Sequence, residues 1–249
     1  ESVYGNCKGK VPMMLNLGLS RQIPVEIIRT DRRKTVAFSV IEEQVRIVVP
    51  KRLSDKRIQE LIQRKTPWIR RKLQIQSTIP PVRSKEYVSG ESFTYMGRNY
   101  RLKVLEGSCD GVKLENGQLV ARIPRNVKGK KRIDRVEKQL KHWYINHAEE
   151  KMTEKTRRYA EILAVRPDAI AVREYKSRWG SCLVKGEIKY NWKIIIAPNH
   201  IIDYVVVHEL SHMRHPNHSK DFWRHVGRVI PDYRECREWL KHHGRTLII

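Results

Sequence analysis

The chain has 249 residues, with 51 Lys and Arg against 27 Asp and Glu and a formal net charge of +24. Its 40% hydrophobic content and mean hydropathy of −0.61 are those of a soluble globular protein large enough to fold without staples. No apolar run approaches the ~18–20 residues that a membrane-spanning helix needs, which excludes a helical membrane protein.

Residues 1–22 show no assignable pattern, and no signal-peptide hydrophobic region follows Glu1–Lys10. Val25–Ile28, Thr35–Val40 and Val45–Pro50 read as strands separated by charged turns, so a meander is expected. Ser54 is a candidate N-cap for a helix over Asp55–Gln76, with Ile58, Leu61, Ile62, Ile69 and Leu73 at helical spacing. Pro67 predicts a break there, or a second helix beginning at Thr66-Pro67-Trp68. Ile79-Pro80-Pro81 is a stop, after which Tyr87–Pro124 returns to strands. Asn116-Gly117, between Val112-Lys113-Leu114 and Leu119-Val120-Ala121, signals a hairpin.

Asn126–Lys131 is the candidate domain boundary, giving a β-rich region over 23–126 and a second domain over 127–249. A long helix is expected from about Lys131 to Leu163, with Ile133, Val136, Leu140, Trp143, His147 and Ile162 as its stripe. Strands follow at Ala169–Arg173 and around Gly186–Trp192, then helices over Ile201–Met213 and from Pro231 to Gly244. No internal repeat is visible. The fold class expected is α+β.

His208-Glu209-Leu210-Ser211-His212 carries the chemistry. Two histidines four residues apart on a helix project from one face toward a common point, the geometry of two nitrogen ligands to tetrahedral Zn²⁺. Glu209, one residue on, stands beside such a metal and can take a proton from its bound water. Pro216 ends the helix soon afterwards, so the chain can turn back and offer His218 as third ligand. Glu238, on a later helix, is the competing third ligand, and His215 competes only if the helix persists. Metzincins share the spacing but place Gly where His215 stands and need a later Met; none follows Met213.

A second cluster, Lys176-Ser177-Arg178-Trp179-Gly180-Ser181-Cys182, reads as a tight turn in which Gly180 permits unusual dihedrals. Arg178 there is a candidate for holding an oxyanion, a carboxylate or a phosphate. The following strand would lie beside the metal helix and offer its edge to an extended peptide. Cys7, Cys109, Cys182 and Cys236 are scattered with no Cys-x-x-Cys pair, the pattern of free thiols in the cytoplasm.

Arg178-Trp179-Gly180-Ser181-Cys182, Gly186-x-Ile188-x-x-Asn191, Ala197-Pro198, Asp203 through Leu210, Asn217-His218-Ser219 and Phe222-Trp223 together resemble the YgjP-like metallopeptidase family, which is related to SprT-type zincins. The resemblance covers roughly residues 22–249. It implies a zincin-like domain with one Zn²⁺ on His208, His212 and His218, and Glu209 as catalytic acid/base. Arg178 and Asn191 of these motifs are candidate substrate-binding residues. SprT-type relatives act on proteins crosslinked to DNA, and the positive charge of both halves suits a nucleic-acid partner. The leading expectation is thus a zinc peptidase acting on protein or peptide. The alternatives are a metal-dependent phosphoanhydride hydrolase, with Arg178 or Lys176 on the phosphates, and a DNA-binding module with a structural zinc. A histidine-rich site disfavours the Mg²⁺ that phosphate chemistry usually employs, and a structural site has no use for Glu209.

Overall fold

The computed structural model describes residues 13–15, 22–31, 35–41, 44–77, 84–107, 111–183 and 186–249. The chain divides into two units, Glu1–Pro81 and Val82–Ile249.

In the first unit, Val45, Ile47 and Val49 alternate with outward residues and are fully buried, which places their strand β4 (Gln44–Pro50) inside a sheet. The other strands are β1 (Met13–Leu15), β2 (Ile23–Thr30) and β3 (Ala37–Ile41), in the order β1-β2-β4-β3. β2 pairs with β4 in parallel and β3 with β4 antiparallel, so the expected meander is not formed. The two strands richest in β-branched residues pair in the interior, and β3 is left at the edge. Helix α1 (Asp55–Ser77) completes this core with Ile58, Ile62, Ile69 and Leu73.

Ser54 caps α1 as expected, its Oγ accepting from the Arg57 N–H at 3.4 Å. Pro67 does not break the helix. It lies on the exposed face, as does Gln63, whose carbonyl loses the Pro67 donor. Ile62 and Ile69 meanwhile keep the apolar face in register.

The second unit opens with β5 (Ser92–Tyr95), β6 (Arg98–Glu106), β7 (Gly111–Glu115) and β8 (Gln118–Ile123), in the order β5-β6-β8-β7. Their pairing senses are antiparallel, parallel and antiparallel, followed by a helix, as in the first unit. A repeat therefore exists in strand pairing where none was legible in residue identity. The Asn116-Gly117 hairpin forms, with both residues at positive φ (49° and 73°). Met96-Gly97 makes a second such turn (48° and 78°).

Helix α2 (Lys130–Leu163) is the spine of this unit, burying Val136, Leu140, Trp143, Tyr144, Ala148, Met152 and Leu163. Ile133 and Ile162 fall outside that stripe and are exposed. Leu119, Ala121 and Ile123 of β8 share one core with α2, which is why the division falls after the Ile79-Pro80-Pro81 stop and not at Asn126.

The rest of the unit comprises β9 (Ala169–Arg173), β10 (Gly180–Cys182), β11 (Glu187–Asn191), two 3₁₀ turns (Trp192–Ile196 and Gly244–Thr246) and three helices. These are α3 (Asn199–Ser211), α4 (Lys220–Val229) and α5 (Tyr233–His243). Helix α3 is buried on nearly every side, from Ile201 to Val207 and again at Leu210 and Ser211. The buried pair Lys155 Nζ–Asp203 Oδ1 (2.6 Å) ties it to α2, and Asn199 donates to the other Asp203 oxygen at 3.3 Å. Among the described residues no helix is long and apolar enough to cross a membrane. Cys182 and Cys236 are free, while Cys7 and Cys109 lie outside the described residues.

Candidate metal centre

Helix α3 brings His208 and His212 to one side of its last turn, and the chain after Pro216 returns His218 to them. The three rings lie 4.8–5.0 Å apart between centroids. One ligand atom from each lies within 4.8 Å of the others, and His208 Nε2 and His218 Nε2 are 3.1 Å apart. Two Zn–N bonds of 2.0–2.1 Å at the tetrahedral angle require about 3.3 Å between nitrogens, so the His208–His218 pair is spaced for Zn²⁺ and the third ring has a nitrogen within 4.8 Å of both. This is the one three-residue group of metal-ligating type among the described residues.

Each ring is held. His212 Nδ1 faces the His215 carbonyl at 3.2 Å; a carbonyl only accepts, so Nδ1 carries the proton and Nε2 keeps its lone pair. His215 thus acts through its backbone, while its ring packs toward His225. His208 Nδ1 lies 3.5 Å from the Tyr204 hydroxyl. His218 stacks on Trp223 (5.4 Å, 20°), and Trp223 stacks on Tyr233 (5.1 Å, 14°). Ser219 caps α4, accepting from the Phe222 N–H at 3.3 Å, and buried Phe222 packs against all three histidines. Burial, with the neighbouring rings, lowers the His208 pKa to about 3 and also lowers that of His212, so both are neutral donors at pH 7.

Glu209 is buried beside this triad. Burial pushes its carboxyl up to about 8, and the charge of Arg178 pulls the other way. Strand β10 passes directly over it: a Cβ on Gly180 would lie 2.6 Å from Glu209 Cγ and Oε1. Gly180 is needed for that close approach, not for an unusual φ, which it does not have.

The remaining candidates separate. Arg178 lines the two cavities that flank Glu209. Asn191 lines neither. Its amide donates to the Tyr175 and Arg178 carbonyls (2.9 and 3.1 Å) and its oxygen accepts from the Lys193 N–H at 3.2 Å. Asn191 therefore holds the 175–179 turn, and its donors have nothing left to offer a substrate. Glu238 is ion-paired with Lys241 at 2.8 Å and lies outside the triad. The strand after the turn, β11, is central, paired with β10 on one side and β9 on the other. The sheet edge nearest Glu209 is therefore that of β10. Sequence reasoning missed α4 and the Lys155–Asp203 pair; Ser219 as a cap and the helical spacing of Phe222, Val226 and Val229 could have signalled α4.

A family model, the YgjP-like metallopeptidase domain, matches residues 34–243. The chain belongs to the YgjP-like family. By that membership it is a hydrolase, a metallopeptidase whose substrate is a protein or peptide and whose chemistry employs a divalent metal. Among solved structures, the crystal structure of the metallopeptidase zymogen of Pyrococcus abyssi abylysin is similar over 36% of this chain and 93% of that one, at 23% identity and a TM-score of 0.33. No curated protein matches this YgjP-like chain.

Proposed function

We propose that this YgjP-like protein is a zinc peptidase in which His208, His212 and His218 hold one Zn²⁺ and Glu209 is the acid/base. The observation that carries the reading is the convergence of three imidazoles on one point with a buried carboxyl beside them. Among the described residues three donors converge, not four, which leaves a position open and supports catalysis over a structural role. Zinc bound there would acidify a water and polarise the scissile carbonyl. Glu209 as carboxylate accepts the proton of the attacking water and returns it to the leaving amine, so its charge is restored after one turnover. Arg178 favours the carboxylate form, and the Gly180 backbone lying against Glu209 limits how far its side chain can move.

The test is cleavage of casein by purified protein: activity should vanish on chelation and return with stoichiometric zinc. Zinc-loaded protein that leaves casein and other unfolded proteins intact would refute it. Zinc content checks the ligand assignment. His218→Ala is expected to lower zinc affinity by at least about 10-fold, since even loss of a ligand's hydrogen-bond partner costs that much, whereas Glu238→Ala keeps zinc. The reverse pattern would make the site one with a carboxylate ligand.

Recruitment of substrates on nucleic acid is the finer part of this reading. The net charge supports it, as does α4, where Lys220, Arg224 and Arg228 recur every four residues along one cavity. DNA binding should then weaken with salt, log K falling by about 0.9 per phosphate contact for each decade. Binding that ignores salt would contradict it.

A further inference from the structure

A cavity of about 370 Å³ opens beside His208 and Glu209, and neither His212 nor His218 lines it. Trp179, Val205 and Leu240 form an apolar wall, and Arg178 and Arg237 bring two guanidinium groups to it. Other arginines in this chain, Arg46, Arg122 and Arg224 among them, have carboxylate partners within 2.9 Å. Arg178 and Arg237 have none among the described residues. Each instead sits over an aromatic ring, Arg178 on Tyr175 (5.6 Å) and Arg237 on Trp223 (5.1 Å). A guanidinium held by its face keeps its N–H fork free for a planar anion. The remaining cation of the lining, Lys241, is already paired with Glu238.

We propose that this cavity is a substrate subsite for a carboxylate, gripped by Arg178 from the turn before β10 and Arg237 from α5. The inference rests on the peptidase reading above and narrows its substrate class. The volume suits one residue with a short apolar stem, whose methylenes lie on Trp179, Val205 and Leu240 while its carboxylate reaches the guanidinium groups. An acidic side chain and a free chain terminus share that chemistry.

Two measurements test it. Quenched fluorescent alanine-rich hexapeptides, paired as Glu or Gln at each position and as C-terminal acid or amide, are offered to the zinc-loaded protein. The acidic member of a pair should be cleaved with kcat/KM about 10- to 100-fold higher, the range expected for a charge-assisted hydrogen bond. Arg237→Gln should abolish that preference and Arg237→Glu should reverse it in favour of the uncharged member, zinc content being unchanged. Preference for Glu identifies a side-chain subsite, and preference for the free acid a chain-terminus subsite. The same peptides are then titrated into zinc-loaded Glu209→Gln protein, alone and combined with Arg237→Gln. Acid-selective binding that needs Arg237, without hydrolysis by the wild type, would uphold the subsite and overturn the peptidase. Metal-dependent casein cleavage with no distinction between pair members, in rate or in binding, would overturn the subsite and leave the peptidase standing.

Discussion

Glu209→Gln is expected to lower peptide hydrolysis by about 10²–10⁴-fold, the contribution typical of a positioned general acid/base. Gln has nearly the shape of Glu and can fill the same buried position against Gly180, so packing changes little. It cannot take a proton from water, and that single loss should appear in kcat. Zinc content should stay at wild-type level, because Glu209 is not among the three converging nitrogen donors. Gly180→Ala probes the group from the other side. Its new Cβ must displace the Glu209 side chain, and a misplacement of about 1 Å can cost around 10²-fold. Full activity in Glu209→Gln would remove the residue from the mechanism.

Lys155→Met is expected to destabilise the second unit by about 3–5 kcal/mol, the range for leaving one member of a buried ion pair alone. Lys155 and Asp203 are 8% and 9% exposed, and once Lys155 is gone Asp203 keeps only neutral donors, the Asn199 amide and the Tyr159 hydroxyl. Urea unfolding followed by tryptophan fluorescence can measure the loss. The double change Lys155→Met with Asp203→Leu should recover most of it, since a well-packed apolar pair often matches a buried ion pair. A single-variant cost below about 1 kcal/mol would mean that α2 and α3 are held together by apolar packing alone.

The histidine triad was legible because its information is local. Helical spacing aligns His208 with His212, and Pro216 forces the turn that returns His218. Helix α2 and the Asn116-Gly117 hairpin were legible for the same reason. The parallel pairing of β2 with β4 was not, since a strand carries no mark of the direction of its partner. Asn191 looked like a binding residue because a polar side chain in a motif reads the same whether it faces a cleft or a buried turn. A glycine in a turn signals backbone freedom, whereas the constraint on Gly180 comes from Glu209, 29 positions later. The Lys155–Asp203 pair depends on how two helices cross, which no single stretch of residues encodes.

The β5–β6 hairpin tip bears on the order in which folding and metal uptake occur. In a zinc finger the polypeptide waits for its ion, and much of the binding free energy is consumed in ordering the chain. Here the Met96 and Gly97 N–H groups donate to the Ile195 and Ile196 carbonyls (2.8 and 3.2 Å), just ahead of α3. Pro198, the residue before that helix, lies where any side chain at position 97 would have to go. The segment leading into the histidine helix is thus suspended from a sheet that owes nothing to the ion. Apoprotein should remain folded, and the free energy of metal binding is left to appear as affinity.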